Sequence, residues 1–376
     1  MGDDLYAMQI DGQRCKGCGR CIEGCPVNAI QLQSGKAQIL RRRCVDCGDC
    51  IRMCPNQARA FNADTLATLS LYPYSIALLP PSLEVFLDTE CFSDEISFED
   101  LQDVFSNMGF SEVFRVAEAA EVVGFIIEQH VLRKLCARPL FSSSCPAVLK
   151  LIRMRFPGLL KHVAPVLSPM EVAARLAKER AAEKTGLSPE KIGAFFVSPC
   201  PAKAAEARDP IMTTRSAVDR VIGVNLVYRD IITGLSRKAV VNRRNEAEGT
   251  VATGTGTGCS AGDRPLTTSM TVSGIHNVIR LLGEMEGGRF VRTDFVELLA
   301  CPGGCPEGPL NSRKPFASIS DLGGLIQKYR VKQRFHDHEH LLDIYRRGCF
   351  ASAAPILPAP AEVADPDQSV HAGVGT

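Results

Sequence analysis

The sequence predicts an α/β protein with a small cysteine-rich module of α+β type in front of it. Two observations support this division. Eight of the sixteen cysteines are concentrated before residue 55, in two runs of identical spacing. From about Tyr74 onwards, short apolar segments alternate with amphipathic segments of helical length, as strands and helices do in α/β folds. A chain of 376 residues is long enough for two or three domains.

Composition and charge exclude several classes of function. The formal net charge is +1 at pH 7, so no general electrostatic field favours nucleic acid or a membrane surface. The segment MGDDLYAMQI has neither the basic region nor the apolar stretch of a signal peptide, and no run of about 18 apolar residues occurs. Sixteen cysteines without a secretion signal indicate metal ligation in a reducing compartment. We therefore expect a protein of the cytoplasm, in an anaerobe.

The two cysteine runs share the pattern C-x₂-C-x₂-C-x₃-C-P. Their members are Cys15, Cys18, Cys21 and Cys25 in the first run, and Cys44, Cys47, Cys50 and Cys54 in the second. Two intervening residues let a loop wrap three thiolates around one face of an iron–sulphur cubane, and the proline then sends the chain away. Zinc also binds C-x₂-C pairs, but it needs four ligands rather than two interlocked sets. The pattern favours iron–sulphur clusters over zinc.

Residues 1–61 therefore resemble the bacterial two-cluster ferredoxins, in which the fourth cysteine of each run ligates the other run's cluster. The resemblance implies two [4Fe–4S] clusters. Cluster I would take Cys15, Cys18, Cys21 and Cys54, and cluster II would take Cys44, Cys47, Cys50 and Cys25. The basic segment Arg41–Arg43 is either a solvated edge or a docking site for an acidic redox partner.

The segments after Tyr74 predict individual elements in chain order. Buried strands are expected over 75–79, 112–116, 193–197 and 295–300, and helices over 98–108, 118–137 and 169–186. The Gly-, Thr- and Arg-rich stretch 237–263 predicts a long connection, and its segment 254–258 lacks the lysine of a phosphate-binding loop. An Ala/Pro-rich tail over 351–376 is predicted to be disordered. The second domain is therefore predicted over residues 74–348.

Four further cysteines lie in three distinctive loops. Cys145 follows three serines, Cys200 comes directly after a predicted buried strand, and Cys301 and Cys305 follow the last predicted strand. Loops at strand ends carry ligands in α/β folds, and four thiolates are the ligand set of one cubane. A third [4Fe–4S] cluster held between two lobes is the favoured interpretation. The alternative is a set of unrelated buried thiols.

These loops resemble the three signature loops of the iron-only ([FeFe]) hydrogenases, T-S-C-C-P, M-P-C-x-x-K-x-x-E and E-x-M-A-C-x-x-x-C. The resemblance implies a two-lobed H-cluster-type domain. It implies that Cys145, Cys200 and Cys301 ligate the cubane, and that Cys305 bridges to a diiron subsite carrying CO, cyanide and a dithiolate. It also implies that Lys203 donates a hydrogen bond to a cyanide and that Glu206 holds this lysine. The alternative for Lys203 is an ordinary surface lysine.

The sequence departs from the catalytic members of that family at several positions. Ser144 stands where they have the cysteine that passes protons to the diiron site. A thiol with a pKa near 8.5 exchanges protons at neutral pH, whereas an aliphatic hydroxyl does not. Ser198 and Leu299 replace two methionines of the same pocket. Glu118 and Glu121 match the spacing of the relay glutamates, although a charged helical face explains them equally well.

Three hypotheses follow, and all involve iron–sulphur redox chemistry. The first is an enzyme that oxidises H₂ or reduces protons, slowed by Ser144. The second is a sensor of the divergent branch of the family, whose cluster state a signalling partner reads. The third is an electron-transfer or assembly protein with three [4Fe–4S] clusters and no diiron subsite. Expected partners are a ferredoxin or similar redox protein, and hydrogenase maturation proteins if the diiron site is present.

Overall fold

The computed structural model describes residues 8–90, 97–132, 137–245, 268–289 and 292–311. The predicted tail, the segment 254–258 and the end of the predicted second domain lie outside these described residues. Within them, no helix has the length and apolar character needed to cross a membrane.

The N-terminal module consists of short strands and one-turn helices around the two cysteine runs. Its elements are β1 (Met8–Ile10), α1 (Arg20–Glu23), β2 (Ile30–Gln33), β3 (Lys36–Ile39), α2 (Asp49–Met53) and β4 (Arg59–Phe61). Strand β1 pairs antiparallel with β4, and β2 pairs antiparallel with β3. Each helix begins after a glycine with φ of +78°, Gly19 or Gly48, because the chain turns sharply around the middle of each cysteine run. The two halves of the module are therefore built alike.

The second region contains two parallel sheets. One sheet has the order β6-β5-β8-β9, from β5 (Tyr74–Leu79), β6 (Glu112–Arg115), β8 (Ile192–Ser198) and β9 (Arg220–Gly223). The other has the order β10-β11-β7, from β7 (Leu140–Phe141), β10 (Ser269–Ser273) and β11 (Phe295–Leu299). All their pairings are parallel, and every residue of β8 is buried. Such continuous burial is typical of a strand covered on both faces.

Helices cover the faces of these sheets. They are α3 (Pro81–Glu90), α4 (Phe98–Asn107), α5 (Val116–Leu132), α6 (Pro146–Arg155), α7 (Pro169–Thr185), α8 (Pro201–Arg208), α9 (Val224–Asn245) and α10 (Ile275–Glu286). Residues of α5, α6 and α7 form one large core with Ile76 and Phe196. Residues of α4 and α9 form a second core with Phe195 on the opposite face of the first sheet. Parallel sheets flanked by helices confirm the predicted α/β class.

Most predicted elements are present, with bounds shifted by one or two residues, but the helix predicted over 118–137 is α5, which ends at Leu132, and residue 137 is not helical. Helix α7 ends before Gly186, whose φ of +70° gives the left-handed cap that the sequence suggests. The long connection predicted over 237–263 is wrong in its first part, because α9 continues to Asn245. No glycine or proline interrupts the chain between Leu235 and Asn245, so the helical hydrogen bonding that begins upstream simply continues.

Candidate iron–sulphur sites

One cavity in the N-terminal module is lined by four thiols. They are Cys25, Cys44, Cys47 and Cys50, the set expected for cluster II. Apolar side chains that include Met8, Ile30 and Val45 complete the lining. The chain therefore brings the last cysteine of the first run into the loop of the second run, as an interlocked pair of clusters requires.

The thiols expected for cluster I differ from one another in their exposure. Cys15 and Cys21 are buried in the small core of the module, with Cys54 packed against it, while Cys18 is exposed. A cluster bound there would have one ligand at the surface, which provides a short path for electrons from a docked partner.

Backbone N–H groups point at the thiols of both sets. The donor–acceptor distances are 3.2 Å from Ala29 to Cys25, 3.4 Å from Asp46 to Cys44, 3.4 Å from Ala37 to Cys15 and 3.3 Å from Ala58 to Cys54. Hydrogen bonds to cluster sulphurs are one of the ways in which proteins tune such clusters. Within the described ranges, no three Cys, His, Asp or Glu side chains are arranged to hold a single metal ion.

The second region brings its four predicted cysteines together from three loops. Cys145 and Cys200 each stand at the N-cap position of a helix, before a proline at the first helical position. Proline is favoured there because its missing N–H and fixed φ suit a helix start. Cys301 follows β11, and Cys305 begins the short turn Cys305–Glu307. The charges of Cys145, Cys301 and Cys305 all act on Cys200, so the four thiols form one group.

Three of these thiols are shielded from water. Cys145 and Cys301 are buried, Cys200 is half-buried and Cys305 is exposed. Burial raises the pKa of Cys145 and of Cys200, and it raises the pKa of Cys301 to about 11. Free thiols here would therefore be protonated at neutral pH, and a metal cluster would supply the positive charge that thiolate ligands need. The donor set and its surroundings fit a [4Fe–4S] cluster.

Lys203 lies inside the protein beside this group. Its Nζ is 3.0 Å from Oε2 of Glu206, and the two side chains are 11% and 2% exposed. Burial by itself would lower the pKa of Lys203, but the charge and hydrogen bond of Glu206 and the nearby Cys200 and Cys305 raise it. The lysine is thus a buried cation held by a carboxylate and directed towards the thiol group, and the surface alternative is wrong.

The residues at which this sequence differs from the expected signature loops lie in different surroundings. Ser144 is half-buried next to Cys145. The hydroxyl of Ser198 accepts a hydrogen bond from the amide of Cys200 at 3.1 Å, so it stabilises the loop that carries Cys200. The side chain of Leu299 lies under Gly304, within the loop that carries Cys301 and Cys305. Glu118 is paired with Arg180 at 2.9 Å, and both are partly exposed, which favours the interpretation as a charged helical face.

The cluster II loop of the module contacts the four-cysteine site directly. A Cβ placed on Gly48 would lie 2.4 Å from Cγ of Pro309, so only glycine allows this approach. Lys150 and the buried Asp46 form an ion pair of 2.8 Å across the same contact. Arg52 donates to the carbonyl of Glu307 at 2.8 Å, and its charge opposes the burial that raises the pKa of Cys301. Sequence reasoning did not identify Arg52, because nothing in its spacing indicates a partner 255 residues away.

These features define an iron–sulphur protein with a ferredoxin-type module packed against an α/β domain that gathers four cysteines. Comparison with known proteins gives the family. Residues 74–259 and 233–309, more than half of the chain, match the family "Iron only hydrogenase large subunit, C-terminal domain". Residues 14–62 match the 4Fe-4S dicluster domain. The chain belongs to the iron-only hydrogenase family, as a divergent member with an N-terminal 4Fe-4S ferredoxin domain.

The curated relatives are distant. The large subunit of the periplasmic [Fe] hydrogenase of Nitratidesulfovibrio vulgaris is 26% identical over 61% of this chain and 57% of its own length. A homologue of the cytosolic Fe-S cluster assembly factor NAR1 from Schizosaccharomyces japonicus is 28% identical over 54% of this chain and 39% of its own length. The chain thus spans about half the length, or less, of these relatives.

Solved structures agree on the fold. An [FeFe]-hydrogenase structure on oxygen inactivation superposes with a TM-score of 0.55 at 18% identity, covering 77% of this chain and 95% of the other. A variant of [FeFe]-hydrogenase HydA1 from Chlamydomonas reinhardtii gives a TM-score of 0.53 at 18% identity, covering 75% and 92%. The α/β region therefore has the hydrogenase fold.

Proposed function

We propose that this protein is an iron–sulphur redox protein in which electrons pass between two ferredoxin-type clusters and a hydrogenase-like site. The site is formed by Cys145, Cys200, Cys301 and Cys305, and its hydrogen chemistry is slow or sensory. The observation that carries this proposal is the buried pair of Lys203 and Glu206 beside the thiols. A bare cubane needs no such pair, and a buried ion pair is costly unless it serves a role.

The chain's own residues have separable tasks. The three loops hold a cubane through Cys145, Cys200 and Cys301, and Cys305 would bridge it to a diiron subsite, which would supply the hydrogen chemistry. Lys203 presents a cation to an anionic ligand, and Glu206 keeps that cation in place at 3.0 Å. The burial of Cys145 and Cys301 limits the access of water to that side of the cubane.

Ser144 accounts for the low rate. It occupies the position where catalytic members of the family have a proton-transferring cysteine. A thiol with a pKa near 8.5 can release and regain a proton at neutral pH, whereas a serine hydroxyl cannot without help. A protein with this residue can still bind hydrogen and change redox state, which is sufficient for a sensor.

The packing of the module supports an order for electron transfer. Cluster II lies on the inner side, because its loop carries Gly48 and Arg52 against the four-cysteine site. Cluster I lies on the outer side, because its ligand Cys18 is exposed. A ferredoxin-like redox protein or a signalling partner would dock near Cys18, and hydrogenase maturation proteins would be required for a diiron subsite. We place the protein in the cytoplasm, where low-potential clusters are protected from oxidation.

Viologen-linked hydrogen uptake tests this proposal. The full chain, co-expressed anaerobically with hydrogenase maturation proteins, is assayed beside the S144C variant. We expect slow uptake by the wild type and a rate about 10²–10⁴-fold higher for S144C, the usual contribution of a well-placed proton donor. C145S, which lacks a cubane ligand, serves as the inactive control. No uptake by either the wild type or S144C would contradict the proposal.

A second candidate is an electron-transfer or assembly protein with three [4Fe–4S] clusters and no diiron subsite. The similarity to an Fe-S cluster assembly factor favours it, since that relative is as similar to this chain as the periplasmic hydrogenase is. This candidate predicts about twelve irons per chain, at four per cubane, whereas an added diiron pair gives about fourteen.

A further inference from the structure

The two halves of the ferredoxin-type module have the same local conformation after their fourth cysteine. The segments are Cys25-Pro26-Val27-Asn28-Ala29-Ile30 and Cys54-Pro55-Asn56-Gln57-Ala58-Arg59. Asn28 and Gln57 both have positive φ, at 52° and 49°. The amides of Ala29 and Ala58 donate to the cysteine four residues earlier, at 3.2 and 3.3 Å. Positions 30 and 59 are therefore structurally equivalent.

The equivalent positions carry opposite chemistry. Ile30 is buried and lines the cavity of the cluster II thiols, as an apolar residue should. Arg59 takes the matching place on the cluster I side, where its Nη2 donates to Sγ of Cys21. Its charge also acts on Cys15, another ligand expected for cluster I. Its charge also acts on Cys50, a ligand expected for cluster II, but its direct contact is with Cys21, so the cation stands on the cluster I side while Ile30 takes the matching place at cluster II.

Two further donors of Arg59 lack a partner among the residues that the structure describes. Its Nε and Nη1 are buried and form no hydrogen bond within the described residues. Buried guanidinium donors normally find acceptors, and leaving them unpaired costs free energy. The sulphurs of a cubane bound by Cys15, Cys18, Cys21 and Cys54 are acceptors of the right kind for donors that face Cys21.

Acidic side chains lie beside the cluster II thiols, and each is paired with a cation. The thiol of Cys44 is 3.8 Å from Oδ1 of Asp46, and the charge of Asp49 acts on Cys47.

We propose that Arg59 is a redox-positioning residue that raises the reduction potential of the outer cluster above that of the inner cluster. A reduced cluster carries one more negative charge than the oxidised cluster, so a buried cation stabilises the reduced form. Electrons then collect on the outer cluster, beside the exposed Cys18, and their transfer to the inner cluster is uphill. The proposal rests on the two ferredoxin-type clusters of the proposed function and is independent of its hydrogen chemistry.

A redox titration with dithionite, followed by electron paramagnetic resonance of the full-length anaerobic protein, tests this. The variants are R59I, which installs the residue of the other half, and R59K, which keeps the charge. We expect the higher of the module's two reduction potentials to fall by at least ~59 mV in R59I, which is a tenfold change in the equilibrium constant of a one-electron reduction. We expect the lower step to move less, and R59K to keep most of the wild-type separation.

The control is R42I, which removes one charge from an exposed arginine of the same module. A shift in R59I no larger than that in R42I, or a shift confined to the lower step, would overturn the proposal. If R59I assembles no clusters, R59Q carries the same test, because it removes the charge and keeps a donor. Loss of about eight irons in both neutral variants would also overturn it, since Arg59 would then be needed for assembly. A wild-type protein that lacks the module's clusters would contradict the proposed function as well.

Discussion

The ferredoxin-type module and the four-cysteine site both gather thiols, but they do so by different physical means. In the module, the ligands lie within 40 residues of sequence, and turns at Gly19 and Gly48 wrap each run locally. In the second region, Cys145 and Cys305 are 160 residues apart and meet only because parallel strands end at one place. The module is therefore specified by local spacing, whereas the second site depends on the whole α/β fold.

The two sites also differ in their charged neighbours. The module relies on backbone N–H groups and on Arg59, which touches a thiol directly. The second site contains a complete ion pair, Lys203 with Glu206, that is almost fully enclosed. Backbone donors suit a cluster that only carries electrons, while a held cation suits a site that binds a further anionic ligand.

Removal of one ligand from the second site should have the largest effect and should separate the two regions. In C301A we expect loss of about four irons per chain, or six if a diiron pair is bound, with both ferredoxin-type clusters intact. The reason is that all eight ligands expected for the module's clusters come from its own two cysteine runs, and none comes from the loop after β11. Iron analysis with electron paramagnetic resonance measures this. Loss of all clusters would show that the two regions assemble as one unit.

Breaking the buried ion pair should destabilise the second region strongly. K203M leaves the carboxylate of Glu206, which is 2% exposed, without its countercharge. We expect the free energy of unfolding to fall by about 3–5 kcal/mol. The double variant K203M/E206Q should recover most of this loss, because it buries no charge. Denaturation followed by circular dichroism measures both, and equal stability of the single variant and the wild type would refute the role of the pair.

A pair of glycine variants should show how closely the module packs against the second region. Gly19 and Gly48 hold the same place in the two runs and have the same φ of +78°. A Cβ on Gly19 meets nothing within 4 Å, whereas one on Gly48 meets Pro309. We expect G19A to cost about 1–2 kcal/mol from backbone strain, and G48A to cost a further 1–3 kcal/mol from overpacking. Equal losses in the two variants would mean that the loop does not pack against the second region.

The sequence predicted a large part of this architecture because its signals are local. Cysteine spacing indicated the module, and apolar runs such as 75–79 and 193–197 indicated the central strands. It also indicated Lys203 and Glu206, since they follow Cys200 at motif spacing. The last part of helix α9 was predicted as a connection, because Gly- and Thr-rich residues further along the stretch masked its helical character.

Other features of the sites could be recognised only from the three-dimensional structure. Arg52 contacts Glu307 and influences Cys301, which no pattern around position 52 suggests. The meaning of Arg59 also depends on coordinates, because its equivalence to Ile30 rests on matched φ values and hydrogen bonds. Contacts between distant segments arise from the packing of whole domains, so single-residue patterns cannot reveal them.

The most direct test of the central claim is infrared spectroscopy of the anaerobic protein, co-expressed with hydrogenase maturation proteins, with and without H₂. We expect CO and cyanide stretching bands that shift under H₂, and their loss in K203M, where the cation beside the site is removed. Intact iron–sulphur clusters without such bands would contradict the claim and leave a protein with cubanes alone.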